Sequence, residues 1–480
     1  MPDEFPRGGG LWKRILLGAF LIVLAAAGAT SVAAFHEVNR VVNAFRESPQ
    51  LQLGGGLAIP APGKPQTIML IGSDVRVKGA SGYGGGQRSD TIILIRLDPS
   101  KKATALLSIP RDLKVSIPGH GIAKINEAYA DGGAKLTLET VKEITGLRIN
   151  HVISVNFLGF VDAVNRLGCV YMDIDHRYYN PGGSYAAINL QPGYQRICGR
   201  DALSFVRFRH TDTDIVRGSR QQQFLGQMKQ QIGIGALFRD RANLLKIFGK
   251  YTRSDIHSTS AVLRLLKLAL ASAKNPIQQI PFDGTLGASY VFASDSQMHK
   301  MAREFIGVET QSSAATKAKT NSSHHRRRKH GTNPANFGLI DASSIGRNMA
   351  LQTVSAGAQL PVYYPRLIAS GDMPLAPPRA YSFISKNHKH FPAYRMVIKG
   401  RGLGQYWGIQ GLTVKNPPIL KGAHEVRHYH GQEYDLYFEG HVTRTVTWKT
   451  KRAVYWVQNT LSGELTENQM VTIARTARSL

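Results

Sequence analysis

Residues 205–223 have the sequence FVRFRHTDTDIVRGSRQQQ, in which four arginines and two aspartates interrupt a segment that otherwise has core composition. Val206 and Phe208 alternate with Arg207 and Arg209. In an extended strand, this alternation buries the apolar pair on one face and directs both guanidinium groups to the other. We therefore predict a strand at this position whose two arginines act together.

A helix is predicted to begin at about Gly218, because apolar residues follow at helical spacing: Phe224, Leu225, Met228 and Ile232. Extended backwards, the same face includes Arg217 and Gln221, so a cation meets the interior at the helix N-terminus. A buried arginine needs an anion, and phosphate matches both the guanidinium fork and the N–H groups of a helix N-terminus. The alternative is a structural network in which Asp212 and Asp214 pair with the arginines.

The composition indicates a folded and strongly basic protein. The 480 residues are 42% hydrophobic, which is enough for two or three domains with ordinary cores. The 60 lysines and arginines exceed the 32 acidic residues, and the net charge is +28. This charge predicts polyanionic surroundings, which include nucleic acid, anionic lipid headgroups and anionic wall polymers.

The N-terminal segment narrows these surroundings. Residues 15–35, ILLGAFLIVLAAAGATSVAAF, are uncharged over the length of a membrane span, and Arg7, Lys13 and Arg14 precede them. We therefore expect a single-pass anchor in the cell membrane, with residues 1–14 cytoplasmic and all later domains on the extracytoplasmic side. This orientation makes the membrane a partner and argues against nucleic acid. A signal peptide cleaved near Ser31–Ala33 is the alternative.

Both cysteines, Cys169 and Cys198, lie in the part expected to be exported. An oxidising exterior permits a disulfide between them, which would close a loop of about thirty residues and stabilise the fold by about 3 kcal/mol. Two buried free thiols are the alternative. This pair does not indicate a metal site.

The rest of the chain divides by composition. Residues 36–66 contain Gly54–Gly56 and several prolines, which predicts a stalk. Residues 67–308 are expected to form an α/β domain, and residues 309–337 a basic, low-complexity linker. Residues 338–480 are expected to form a smaller C-terminal α+β domain, an antiparallel sheet with one helix across it, whose role the sequence does not identify.

The α/β domain is predicted to contain a mixed central sheet sandwiched by helices, because strand and helix patterns alternate along it. Strands are predicted at 67–71, 91–97, 104–109, 151–155, 170–174 and 278–282, and helices at 135–145, 157–167, 200–203, 242–249 and 259–273.

Charged residues collect at the strand ends, where open α/β sheets form their sites. Asp74 and Asp90 adjoin a glycine-rich loop, and two carboxylates in one crevice suit Mg²⁺, with Mn²⁺ as an alternative. Six arginines would supply compensating charge: Arg88, Arg111, Arg207, Arg209, Arg217 and Arg220. A metal ion held by carboxylates and several arginines around a diphosphate are typical of sites that catalyse phosphoryl transfer. The alternatives are a turn aspartate at 74 and a surface ion pair at 88–90.

These residues fall into motifs that resemble the LytR-CpsA-Psr (LCP) family. The motifs are the GSD turn at Asp74, RSDT at 88–91, IPRD at 109–112, KIN with AY at 124–129, and RFRH through Arg220-Gln221. The resemblance covers about residues 67–234 in the family's motif order. One departure is Ile215-Val216 before Arg217, where many members have an aromatic residue and glycine, so the loop that carries Arg217 can differ.

The resemblance implies a membrane-anchored enzyme that transfers a glycopolymer, such as teichoic acid or arabinogalactan, from a polyprenyl-diphosphate carrier to peptidoglycan. It implies that Asp74 and Asp90 hold Mg²⁺. It also implies that the diphosphate is bound by Arg88, Arg111, Arg207, Arg209, Arg217 and, on the same segment, Arg220 and Gln221. Polyprenyl phosphate would leave, and Arg111, Asp112 and Asp214 are the candidate catalytic residues, with Asp112 or Asp214 as general base.

Two other functions use the same groups. A polyprenyl-diphosphate glycan pyrophosphatase would replace the acceptor hydroxyl by water. A non-catalytic binder of anionic wall polymer would use the arginines alone and would tolerate loss of Asp90.

Overall fold

The computed structural model describes residues 39–44, 46, 48–61, 63–73, 89–101, 103–182, 187–209, 212–232, 241–273, 275–307, 337–422, 424–440 and 442–480. The predicted cytoplasmic tail and membrane span, Asp74, Arg88 and nearly all of the predicted basic linker lie outside the described residues. Within the described ranges, no helix is both long enough and apolar enough to cross a membrane.

A six-stranded mixed sheet organises the first domain, in the spatial order β11-β6-β1-β2-β3-β12. Its strands are β1 (Gln66–Ser73), β2 (Ser89–Asp98), β3 (Ala103–Ile109), β6 (His151–Asn156), β11 (Thr252–Ser254) and β12 (Ile277–Ile280). The β1–β6 and β3–β12 pairs are parallel, whereas β1–β2, β2–β3 and β6–β11 are antiparallel. The predicted mixed sheet is therefore confirmed.

Short strand pairs surround this sheet. They are β4 (Lys114–Ile117) with β5 (Gly121–Lys124), β7 (Val170–Ile174) with β10 (Gly193–Ile197), β8 (Tyr178–Asn180) with β9 (Ile188–Leu190), and β13 (Thr285–Leu286) with β14 (Val291–Phe292). Each of these pairs is antiparallel.

Helices cover both faces of the sheet because its strands alternate apolar side chains on two sides. Their bounds are α1 (Glu127–Thr145), α2 (Phe157–Leu167), α3 (Gly199–Arg207), α4 (Asp214–Gln231), α5 (Arg241–Tyr251), α6 (Thr259–Ser272) and α7 (Asp295–Gly307). Leu138 of α1 and Met301 of α7 share one core with Met69 and Leu107. On the opposite face, Val262 of α6 packs with Ile68.

The segment quoted at the outset folds differently from the prediction. Residues up to Arg207 belong to α3, and only Phe208 and Arg209 continue as extended chain. The buried residues of α3 include Ala202, Phe205 and Val206, which have helical spacing. The four-residue alternation that suggested a strand is thus the end of a helix followed by two residues without regular secondary structure.

Helix α4 also begins earlier than predicted, at Asp214 rather than about Gly218. Thr213 is its N-cap, and its side-chain oxygen accepts a hydrogen bond from the Val216 N–H at 3.2 Å. A threonine followed by an acidic residue is a usual helix start, so the signal was present in the sequence.

The predicted stalk is partly packed against the domain. Leu51 and Leu53 are buried in the same core as α1 and α7. The Leu51 N–H donates to the Ser254 carbonyl at 3.0 Å, and the Ala58 N–H donates to the Ile149 carbonyl at 2.8 Å. Apolar spacing over so few residues, next to glycines and prolines, did not indicate this docking.

Cys169 and Cys198 are joined by a disulfide, with their Cα atoms 4.5 Å apart. Cys169 immediately precedes β7, and Cys198 is the N-cap residue of α3. The bond therefore ties the start of α3 to the neighbouring strand, and α3 carries Arg207 at its other end.

The C-terminal region is built on a seven-stranded antiparallel sheet, in the order β18-β19-β20-β24-β23-β22-β21. Its strands are β18 (Met373–Ile384), β19 (His390–Lys399), β20 (Tyr406–Leu412), β21 (His424–Tyr429), β22 (Gln432–Glu439), β23 (Val442–Lys449) and β24 (Val454–Gln458). Smaller strands pair beside it: β15 (Leu339–Asp341) with β17 (Leu367–Ala369), and β16 (Tyr363–Tyr364) with β25 (Arg478–Ser479). The expected smaller α+β domain is confirmed.

Two helices, not one, pack on this sheet: α8 (Ser343–Ser355) and α9 (Glu467–Thr476). Helix α8 was not predicted, because its apolar residues are few, and neither was β18, which contains three prolines. Strand β18 accepts them because it lies at the sheet edge and its pairing with β19 is irregular between Leu375 and Arg379.

A buried ion pair joins the C-terminal region to the first domain. Arg395 of β19 donates to Asp173 of β7 at 3.0 Å, and both side chains are inaccessible to solvent. Trp456 Nε1 donates to the same carboxylate oxygen at 2.7 Å, and Gln458 donates to the Asp173 carbonyl at 3.2 Å. Burial raises the pKa of Asp173 despite the neighbouring guanidinium. This carboxylate therefore depends on its partners for its charge to be tolerated.

Replacing Arg395 with methionine should destabilise the protein by about 3–5 kcal/mol, because it leaves the Asp173 carboxylate buried without its cation. The measurement is the free energy of unfolding of the full chain from urea titrations. Arg452→Met, at an exposed arginine of the same region, is the control and should change it by less than about 0.5 kcal/mol. Equal effects of the two substitutions would contradict the importance of this ion pair.

Candidate active site

Charged side chains from five separate stretches of the chain meet beside the ends of β2 and β3. We name this group the arginine–aspartate cluster; it consists of Asp90, Arg111, Asp112, Lys124, Arg207, Arg209, Asp214 and Arg217. Asp90 is the second residue of β2, and Arg111 and Asp112 lie in the turn that follows β3. Arg207 ends α3, and Arg209 follows it in the extended chain.

Asp90 is the anion shared by two of the predicted diphosphate-binding arginines. Arg111 Nη1 contacts one carboxylate oxygen, and Arg207 Nη2 lies 3.0 Å from the other. Burial by itself would raise the pKa of Asp90, but the positive charges of Arg111, Arg207 and Arg217 outweigh it and lower the pKa. Asp90 is therefore ionised at neutral pH.

The arginine side chains are oriented by further contacts. The guanidinium of Arg207 lies 4.0 Å from the ring centroid of Phe157, the first residue of α2. Arg111 Nε is buried and makes no hydrogen bond among the described residues. This nitrogen faces two carboxylates, 3.8 Å from Asp112 Oδ1 and 4.0 Å from Asp214 Oδ2, so Arg111 links Asp90 to the Asp112–Asp214 pair.

Asp112 and Asp214 form a second, negatively charged centre. The Asp112 N–H donates to Asp214 Oδ2 at 3.1 Å. Arg209 Nη2 lies 3.1 Å and Lys124 Nζ 3.3 Å from the Asp112 carboxylate. Burial and the negative charge of Asp214 raise the pKa of Asp112, although Arg111 and Lys124 oppose the shift. A carboxylate with a raised pKa next to a second carboxylate is a typical proton acceptor.

Arg217 occupies the first turn of α4 and is almost entirely buried. Its Nη1 lies 3.1 Å from Asp214 Oδ1. Burial lowers the pKa of Arg217 from its usual value, with Asp214 opposing the shift. The early start of α4 therefore places this cation within the helix, next to the residue that opens it.

Arg220 does not belong to the cluster, contrary to the prediction. Its side chain is fully buried and pairs with Asp212, whose side chain is also inaccessible. Its Nη1 donates to the carbonyls of Phe205 at 2.9 Å and Phe208 at 3.0 Å, and the guanidinium lies 4.9 Å from the ring centroid of Tyr178. Arg220 therefore fixes the backbone at Phe205 and Phe208 and does not face the cluster.

Gln221 has a similar role. Its side-chain amide donates to Thr91 Oγ1 at 3.0 Å and to the Val206 carbonyl at 3.1 Å. These bonds tie the end of α3 to β2, so Gln221 is bonded to the framework of the site. Arg220 was predicted to face the diphosphate as part of the compensating positive charge, and Gln221 through the family resemblance. Neither signal shows what packs against these two side chains.

Lys124 is the residue that the sequence analysis left unassigned. It belongs to the KIN motif quoted for the family, and it ends β5. The motif was the available signal, but its lysine was not given a role because nothing in the sequence indicated that β5 folds back onto the turn containing Asp112.

The predicted metal site is only partly within the described residues, because Asp74 lies outside them. Asp90 supplies one ionised oxygen-donor group, which is the ligand type that Mg²⁺ prefers. Among the described residues, no group of three or more His, Cys, Asp or Glu side chains could hold a metal ion. Arginines contact both oxygens of this carboxylate, so Asp90 is the one predicted metal ligand that the described residues contain, and it is also an ion-pair partner.

The model of the LytR_cpsA_psr family matches residues 29–307 of this chain. The chain belongs to the LytR-CpsA-Psr family. This membership confirms the family predicted from the motifs, and the match includes every residue of the cluster.

Two LCP relatives are similar in sequence. TagT of Bacillus subtilis (strain 168), a polyisoprenyl-teichoic acid–peptidoglycan teichoic acid transferase, is 32% identical over 223 residues, covering 45% of this chain and 68% of TagT. TagU of Oceanobacillus iheyensis, also a polyisoprenyl-teichoic acid–peptidoglycan teichoic acid transferase, is 31% identical over 252 residues, covering 50% of this chain and 75% of TagU. The crystal structure of B. subtilis TagV is 26% identical, covers 52% of this chain and 98% of TagV, and has a TM-score of 0.41.

Replacing Arg220 with methionine should destabilise the protein by about 3–5 kcal/mol, because Asp212 would remain buried and unpaired. The measurement is the urea unfolding free energy of the full chain. Arg209→Met, at a partly exposed member of the cluster, is the control and should cost about 1 kcal/mol or less. An Arg220→Met chain with normal stability would return Arg220 to the list of ligand-binding candidates.

Replacing Asp112 with asparagine should leave the melting temperature at pH 7.5 unchanged or raise it. A carboxylate whose folded-state pKa is raised stabilises the fold fully below its unfolded pKa and loses that contribution as pH rises through the folded value. At pH 7.5 the ionised group is therefore a cost that asparagine removes.

Asp90→Asn is the matched comparison, because the pKa of Asp90 is shifted in the opposite direction to that of Asp112. The folded-state pKa of Asp90 is lowered, so its contribution is present above the unfolded pKa and is lost as pH falls through the folded value. This substitution should lower the melting temperature at pH 7.5. Melting curves from pH 4 to 8 distinguish the two, and a lower melting temperature for Asp112→Asn at pH 7.5 would refute the assignment of a raised pKa.

Proposed function

We propose that this chain transfers a glycopolymer from a polyprenyl-diphosphate carrier to a hydroxyl group of peptidoglycan, forming a phosphodiester and releasing polyprenyl phosphate. The arginine–aspartate cluster carries the proposal. The similarity to TagT and TagU, which transfer teichoic acid from a polyisoprenyl carrier to peptidoglycan, supports it.

The charge of the cluster suits a diphosphate diester. The described members comprise five cations and three carboxylates, a surplus of two positive charges. A diphosphate esterified at both ends carries about two negative charges at neutral pH, so its binding would neutralise the cluster. The ligand would exchange water for guanidinium contacts without leaving a large uncompensated charge.

The proposed reaction is a substitution at phosphorus. The acceptor hydroxyl oxygen attacks the phosphorus atom that bears the glycan, and the bond from that phosphorus to the bridging oxygen breaks. The bridging oxygen leaves as part of polyprenyl phosphate, and the hydroxyl proton passes to the Asp112 carboxylate, whose raised pKa favours acceptance. Arg111 and Arg207 hold the phosphoryl oxygens and stabilise the charge that develops on them.

Mg²⁺ is the cofactor that we propose for this site, with Asp90 and Asp74 as its protein ligands. When bound, the ion would neutralise part of the diphosphate charge and make the departing phosphate a better leaving group. Mn²⁺ has the same ligand preference and is expected to substitute for it.

We also propose that the chain works at the outer face of the cell membrane, where a polyprenyl carrier and peptidoglycan meet. The apolar segment 15–35 supports an anchor at this surface. The disulfide between Cys169 and Cys198 supports an oxidising, extracytoplasmic location.

The full chain in detergent micelles, given a polyprenyl-diphosphate glycan, peptidoglycan and Mg²⁺, should release polyprenyl phosphate and attach the glycan to the acceptor. Arg111→Ala should lower the rate by about 100-fold or more, because it removes a guanidinium that would stabilise the charge developing on the transferred phosphoryl group. Product formation is followed by mass spectrometry of the lipid and of digested peptidoglycan.

Arg452→Ala, at an exposed site of the C-terminal region, is the control and should keep the full rate. Release of polyprenyl phosphate without glycan on peptidoglycan would instead identify a pyrophosphatase. Tight binding of the donor without any cleavage would identify a binder. A normal rate in the presence of EDTA would remove Mg²⁺ from the proposal.

A further inference from the structure

Two lysines directly opposite each other mark a surface next to Asp112. Lys114 begins β4 and Lys124 ends β5, and their Cα atoms are partners in the antiparallel register. Side chains in this relation lie on the same face, and like charges placed so are unfavourable without an anion. Lys124 Nζ lies 3.3 Å from Asp112, whereas Lys114 is exposed and forms no ion pair with the described carboxylates.

Aromatic rings lie beside these ammonium groups. Lys114 Nζ is 5.7 Å from the ring centroid of Tyr290 and 5.6 Å from that of Phe292, and Lys124 Nζ is 5.6 Å from that of Tyr290. Phe292 is 42% exposed, and Ile122, on the same face of the β4–β5 pair, is 70% exposed. We name these five residues the hairpin strip.

The hairpin strip is joined to the cluster by the backbone. The Val291 N–H donates to the Asp112 carbonyl at 2.9 Å, and Leu113 and Val291 form an isolated β-bridge. The β13–β14 pair, which carries Phe292, is therefore fixed relative to the candidate general base. Any molecule resting on the strip lies on the Asp112 side of the cluster, where an attacking hydroxyl must arrive.

We propose that the hairpin strip is the acceptor subsite and that it binds a peptidoglycan sugar together with an attached carboxylate. The exposed side chains of Phe292 and Ile122 and the partly buried ring of Tyr290 suit the C–H face of a sugar ring, and the two lysines suit a carboxylate. Peptidoglycan carries carboxylates on its stem peptides next to its sugars. This proposal rests on the proposed transfer function, because it takes peptidoglycan as the acceptor.

Binding is measured apart from turnover. Isothermal titration calorimetry of the full chain uses soluble disaccharide–peptide fragments of peptidoglycan with free carboxylates as the probe. Lys114→Gln should weaken binding about threefold, the effect of one exposed ion pair. Tyr290→Ala should weaken it about fivefold, the effect of one lost ring contact. Circular dichroism melts verify that each variant is folded.

Amidated fragments identify the carboxylate as the group that the lysines hold. With the wild-type chain, amidation should weaken binding about as much as Lys114→Gln does. With the Lys114→Gln chain it should have a smaller effect, because the two changes remove the same interaction. Equal effects of amidation on both chains would overturn the pairing.

Two exposed residues elsewhere serve as matched controls: Lys389, between β18 and β19, and Tyr179 of β8, which lies against Arg177. Lys389→Gln and Tyr179→Ala should leave fragment binding unchanged. The proposal is overturned if they act like the strip variants, or if the strip variants bind normally. It is also overturned if Lys114→Gln raises the KM for the lipid-linked donor instead, or if it changes only self-association measured by sedimentation.

Failure of the subsite and failure of the proposed function are distinguishable. Fragment binding that depends on Lys114, in a chain that transfers no glycan, supports the subsite and refutes the transferase. Normal transfer with fragment binding that is independent of Lys114 and Tyr290 refutes the subsite alone.

Discussion

The buried guanidinium of Arg220 is the constraint on which the site depends. A fully buried cation is tolerated only when its charge is compensated, and here Asp212 pairs with the guanidinium while two backbone carbonyls accept hydrogen bonds from its Nη1. Because those carbonyls belong to Phe205 and Phe208, the C-terminal end of α3 is held against α4. Arg207 and Arg209 consequently face the same side as the start of α4, and the pair Asp214–Arg217 completes that side.

The C-terminal region is connected to Arg220 through buried polar and aromatic contacts. Asp173 binds Arg395 and Trp456 across the boundary between the two regions. Two residues further along the chain, Asp175 accepts a hydrogen bond from the Tyr178 hydroxyl at 2.7 Å, and the Tyr178 ring packs on Arg220. The C-terminal sheet thus contacts the strand β7 and, through Asp175 and Tyr178, supports Arg220. It contributes no residue to the cluster.

Within the cluster, the aspartates have two different electrostatic environments. Asp90 has three arginines nearby and a lowered pKa, whereas Asp112 shares its surroundings with Asp214 and has a raised pKa. Two carboxylates with opposite shifts are suited to different tasks, one to hold cationic groups and one to accept a proton. Arg111 lowers the pKa of both carboxylates, so it does not cause the difference between them. The difference arises because Arg207 and Arg217 lie near Asp90, whereas the negative charge of Asp214 lies near Asp112.

The sequence by itself determined the family and the strands and most helices of the mixed sheet, because local periodicity and motif spacing carry that information. It also predicted Asp90, Arg111, Arg207 and Asp214 as site residues, and the fold brings these four side chains together. The tertiary structure alone decided that residues up to 207 are helical, that Arg220 and Gln221 are structural, and that Lys124 joins the site. These outcomes depend on contacts between residues distant in the chain. Whether a charged side chain on a helix faces a ligand or a carbonyl is set by what packs against it, which no local pattern records.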